Sequence, residues 1–191
     1  MAAAQLRIDG ASITQVRGLL AGAAIFTVFG ALWVVMALIH WSARPGWCLP
    51  AALMAAITLL GLCIASLSAS RHIRRDDNPL AFAAGKQAGM LFGIIFGIEA
   101  GLIALCAMVL AHRGLELWIP IVAALIIGIH FLPLAKIFQV PLYYGTGVLM
   151  VLGVAGCLII PDFALRLLCM GLMMTAVLWG SALVLLWQTR L

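Results

Sequence analysis

The chain has 191 residues, of which 66% are hydrophobic and 9% are charged, and its formal charge is +5. Soluble domains carry about 25% charged residues, so this chain lacks the polar surface to cover a globule in water. The composition excludes an ordinary soluble domain and points to a single polytopic membrane domain over residues 1–191, all-α, with six transmembrane helices.

The first apolar run covers Gly18 to Ile39 and follows a basic N-terminal stretch with Arg7 and Arg17. It exceeds the ~7–15 residues of a signal-peptide core, so it reads as an uncleaved first helix. The second runs from Pro50 to Ser68, with Pro50 where a first helical turn tolerates a missing N–H. Next comes the basic loop "RHIRRDDN", Arg71 to Asn78, in which Arg71 to Arg75 suit the anionic headgroups of a cytoplasmic leaflet.

The third helix is expected over 79–110, longer than its apolar part from Ala88. Asp77 and Asn78 offer a cap and Pro79 a first helical residue. Within it Gly85, Gly89, Gly93, Gly97 and Gly101 recur every fourth position. Residues four apart fall on one slowly drifting stripe, and small residues let helix backbones approach closely in lipid. The stripe reads as a packing seam for a neighbouring helix, or as a face for a homo-oligomer or another membrane protein. Glu99 lies on the other side of the same helix, near the midplane. An acidic residue there costs about 2.5–3.5 kcal/mol on insertion scales, which a partner or protonation offsets.

The fourth helix is expected over 118–135 and contains "GIHFLPLA", Gly128 to Ala135. Pro133 cannot donate to the carbonyl of Ile129, so it frees an acceptor beside the intramembrane His130. The short connection makes the third and fourth helices antiparallel neighbours. Glu99 and His130 are then expected to face one internal polar site; the alternative is that His130 bonds the freed carbonyl.

The fifth helix is expected over 143–160 and the sixth over 163–186, capped by Asp162 with Arg166 one turn on. With the N-terminus inside, eight Lys and Arg fall on inner segments (residues 7, 17, 71, 74, 75, 86, 136 and 190) against three outside (44, 113 and 166). That bias places both termini in the cytoplasm. Trp41, Trp47 and Trp118 then mark the outer interface, and Tyr143, Tyr144 and Trp187 the inner one. Ile39-His40-Trp41 before Pro50 faintly echoes Ile129-His130-Phe131 before Pro141, too briefly to define an inverted repeat.

Catalytic signatures are missing. There is no HExxH, GxSxG, phosphate-binding Gly-Lys-Ser/Thr loop or paired intramembrane aspartate. The chain is read as a non-enzyme without a cofactor, and no basic stripe with interleaved aromatics suggests nucleic acid. Five scattered cysteines form no CxxC pair, so neither a disulfide framework nor a zinc site is inferred. His40, His112, Glu116 and Asp162 share the outer side but have no ligand spacing. Thr27, Thr58, Thr146 and Thr175 are expected to bond their own helix backbones.

"DDNPL", Asp76 to Leu80, followed by "GIHFLP", Gly128 to Pro133, resembles a domain-of-unknown-function family of small bacterial multi-pass membrane proteins. The likeness covers roughly Asp76 to Tyr144, and Glu99 lies outside the pattern. The resemblance implies a bacterial inner-membrane location and weight on Asp77, Asn78, Pro79 and His130, but brings no activity. The function expected from the residues is a small transporter- or channel-like protein with an internal polar site. The alternative is a non-transporting scaffold or accessory subunit that associates through the glycine-rich face.

Overall fold

A computed structural model describes residues 13–41, 45–70 and 79–189. Asp77, Asn78 and the basic run Arg71–Arg75 lie outside the described residues, as does Arg44. Among the described residues the chain is all-α, with six helices and no strand. They are α1 (Ile13–His40), α2 (Cys48–Ala69), α3 (Pro79–His112), α4 (Ile119–Phe138), α5 (Pro141–Cys157) and α6 (Phe163–Gln188). A short 3₁₀ turn, Glu116–Trp118, leads into α4. Five of the helices are long and apolar enough to cross a membrane. This is the architecture of a multi-pass membrane protein.

The helix ends follow from local chemistry. Pro79 opens α3 and Pro141 opens α5, where a missing N–H costs nothing. Asp162 caps α6 by accepting from the Leu165 amide at 2.7 Å. Gln139 ends α4 in the left-handed region, φ 54°, and its N–H returns to the Ala135 carbonyl.

α5 is shorter than its apolar run suggests. It ends at Cys157 rather than Ile160, at 17 residues. Pro161 is the cause: it lacks an N–H and its ring disfavours helical geometry at Ile160. The Ile160 carbonyl instead accepts from Arg166 Nε at 2.8 Å. At the other end of the molecule Arg17 of α1 donates to the Ser70 carbonyl at 2.8 Å, placing a cation at the C-terminus of α2.

α1 and α6 form the principal helix pair, and α4–α5, α1–α2, α3–α4 and α5–α6 complete the bundle. Lipid is as apolar as leucine, so dispersion and close approach drive this packing rather than water exclusion. Among the described residues, close approach is visible at six glycines, including Gly22 of α1 against the Tyr143 hydroxyl and Gly153 of α5 against Met173. A Cβ at Gly30 of α1 would overlap the Trp179 indole of α6, and one at Gly171 would stand 2.8 Å from the Trp33 carbonyl. Between α4 and α5, a Cβ at Gly147 would stand 2.7 Å from the Gly128 carbonyl, and one at Gly128 2.9 Å from Val151.

Hydroxyls add to these seams. Thr27, Thr58, Thr146 and Thr175 each bond a carbonyl four residues back in their own helix. Three of them also cross between helices: Thr175 donates to the Gly30 carbonyl at 2.9 Å, Thr146 meets Ser181 at 2.8 Å, and Thr27 meets the Cys63 sulfur at 3.8 Å. Trp179 Nε1 donates to the Thr27 carbonyl at 3.1 Å.

Candidate functional site

α3 divides its residues between two faces. Phe92, Phe96 and Glu99 follow the i, i+4, i+7 spacing of one helical face and turn toward α1 and α4. Gly89, Gly93, Gly97 and Gly101 lie on an exposed face, and no atom stands within 4 Å of where their Cβ atoms would be. No described helix of this chain packs against that stripe. Gly85 is half-buried near the start of the same helix.

Glu99 sits at the centre of the apolar span Gly85–His112. It is the sole acidic residue inside an apolar run of the sequence. From the antiparallel α4, His130 brings Nδ1 to 3.1 Å from Glu99 Oε2. Both side chains are more than nine-tenths buried. The ring N–H direction is poorly aligned with the carboxylate, so Nδ1 is in close polar contact without a formed hydrogen bond. The pair holds one acid and one base, so its proton can sit on either partner without changing its net charge.

Pro133 lies inside α4, and the helix continues past it to Phe138. Its ring removes the N–H that would have met the Ile129 carbonyl. His130 Nδ1 faces Glu99 rather than that freed carbonyl.

Two cavities meet at the pair. The inner one, about 40 Å³, lies among α1, α3, α4 and α6 and is lined by Phe26, Phe29, Phe92, Phe96 and Phe131 beside Glu99 and His130. The outer one is a groove of about 340 Å³ between α3 and α4, lined by Ile95, Ile98, Leu102, Ile126, Ile129 and Pro133. Glu99 and His130 border both. Ile98, Leu102 and Ile129 are about half exposed on the outside of the bundle, at 58%, 46% and 55%, so the groove opens sideways toward lipid.

The phenyl cluster is the feature that sequence reading missed. Phe26 and Phe131 meet edge to face at 5.2 Å, Phe92 stacks on Phe96 at 5.9 Å, and Phe29 meets Phe96 at 6.4 Å. The i, i+4 pair Phe92 and Phe96, one turn before Glu99, was the available signal. Tyr143 belongs to the same cluster. It is 5% exposed and touches Phe26, Phe131 and Phe138, so it is a core residue and not part of an interfacial belt. Tyr144 and Trp187 are exposed.

His40, His112, Glu116 and Asp162 do not assemble: among the described residues no three His, Cys, Asp or Glu groups lie close enough to hold a metal. His40 Nδ1 instead meets the Met36 carbonyl at 2.8 Å. The five cysteines are free thiols. No protein-family model, curated protein or solved structure matches the chain.

Proposed function

We propose that this chain is a small transporter- or channel-like protein of a bacterial inner membrane, with both termini in the cytoplasm, and that Glu99 and His130 form its working site for a proton or another small cation. The observation that carries the reading is the 3.1 Å contact between these two buried side chains, with open space on both sides of it. An ionisable pair in this setting is expensive to insert, and such pairs default to transport chemistry. The excess of Lys and Arg on inner segments supports the orientation. The run Arg71–Arg75 then suits anionic lipid at the cytoplasmic surface.

Proton flux tests this. Liposomes that contain the protein and an entrapped pH dye are given a pH step under a valinomycin–potassium clamp. Wild type dissipates the step faster than empty liposomes, whereas Glu99→Gln and His130→Ala do not. Flux unchanged in both variants removes the site.

A second reading is a non-transporting scaffold that docks through α3. It is favoured by Gly89, Gly93, Gly97 and Gly101, which present bare backbone on an exposed face. On this reading Gly93→Leu or Gly97→Leu disrupts a complex and Glu99→Gln has no effect.

A further inference from the structure

We propose that the groove between α3 and α4 binds a lipophilic cation, an amine or quaternary ammonium compound that enters from the hydrocarbon and sets its positive head against Glu99. The inference rests on the reading of Glu99 and His130 as the working site, and it names the class of molecule that site takes.

Four features select this class. At about 340 Å³ the groove is large enough for a small organic molecule and lies within the ~300–1,000 Å³ range of ligand pockets. Its walls are aliphatic apart from Glu99 and His130, and its mouth is formed by the outward-facing Ile98, Leu102 and Ile129. The side chains that line it offer a metal ion no oxygen ligand beyond one carboxyl, whereas an apolar body is solvated by the isoleucines. His130 Nδ1, more than nine-tenths buried and without a formed hydrogen bond, borders the groove as a free polar position. With the ring proton on Nε2, an amine's ammonium N–H can use Nδ1 as an acceptor while the charge pairs with the carboxylate; a quaternary head pairs with the carboxylate alone.

The sign of the charge follows from the surroundings. Glu99 is the sole acidic residue in the apolar runs, and among the described residues no lysine or arginine lines either cavity. Behind the pair stand five phenylalanines, whose ring faces carry negative potential that attracts cations and repels anions. A carboxylic acid or phosphate head would meet both the carboxylate and those rings.

The test is equilibrium binding of tritiated benzyltrimethylammonium to the full chain in nanodiscs, with empty nanodiscs as background. Saturable binding above background is expected. Glu99→Gln should weaken it by about tenfold or more, the scale of one charge-assisted contact. Neopentylbenzene, the neutral isostere with carbon in place of nitrogen, should not displace it. Ile129→Trp narrows the mouth without touching the pair and should also abolish binding, which keeps the test decisive if Glu99→Gln fails to fold. Binding no greater than in empty nanodiscs overturns the proposal. So does binding unchanged in Glu99→Gln or in Ile129→Trp, or equal displacement by neopentylbenzene. Failure here with Glu99-dependent proton flux intact removes the ligand class alone. Cation binding without any Glu99-dependent flux keeps the site and removes the transport reading.

Discussion

His130 on α4 holds its Nδ1 3.1 Å from the Glu99 carboxylate on α3, and the two helices otherwise meet mainly through aliphatic and aromatic side chains. The contact joins α3, the most lipid-exposed of the five long spans, to the rest of the bundle. A double-mutant cycle with Glu99→Gln and His130→Phe, read by reversible unfolding in bicelles, should give a coupling of ~0.5–2 kcal/mol, the range of interhelical polar contacts in lipid. Coupling indistinguishable from zero would mean that the pair is spatial only.

Gly30→Ala should destabilise the bundle by ~1–3 kcal/mol, the usual cost of overpacking. The added methyl overlaps the Trp179 indole, which is held by its bond to the Thr27 carbonyl. Gly61→Ala, in open space on α2, is the control and should shift the same unfolding transition little.

Gly147→Ala should act the same way at the α4–α5 seam, because its methyl would press on the Gly128 carbonyl, a backbone atom that cannot rotate away. Cysteine cross-linking between α4 and α5 would register the separation. An unchanged cross-linking yield would place the two helices further apart than described here.

Asp162→Ala should cost ~1 kcal/mol through loss of the cap on α6. Hydrogen exchange at the Leu165 amide, which now donates to Asp162 at 2.7 Å, should accelerate, while amides deeper in α6 keep their protection.

The six helices were legible because length and apolarity alone mark a helix that must satisfy its backbone in lipid. The α3–α4 adjacency was legible too, since a short connection leaves two antiparallel spans little choice. Partner choice for glycines was not. The regular stripe Gly89–Gly101 looks like the strongest packing motif in the sequence, yet within this chain the close approaches occur at Gly22, Gly30, Gly128, Gly147, Gly153 and Gly171. A periodic stripe states that a face is smooth, not that something covers it. Likewise, nothing in the order of residues states that the space beside Glu99 opens sideways, because that depends on which face of α4 meets α3. Tyr143 read as interfacial because it begins a helix, but the packing of α1 and α4 around that end draws it into the core.

The central claim is that Glu99, and not the glycine face of the same helix, is what this protein works with. Proton flux measured side by side for wild type, Glu99→Gln and Gly93→Leu in liposomes tests it most directly. The account predicts flux in wild type and Gly93→Leu and background leakage in Glu99→Gln. Equal rates for wild type and Glu99→Gln, with loss of an oligomer or partner complex in Gly93→Leu, would contradict it.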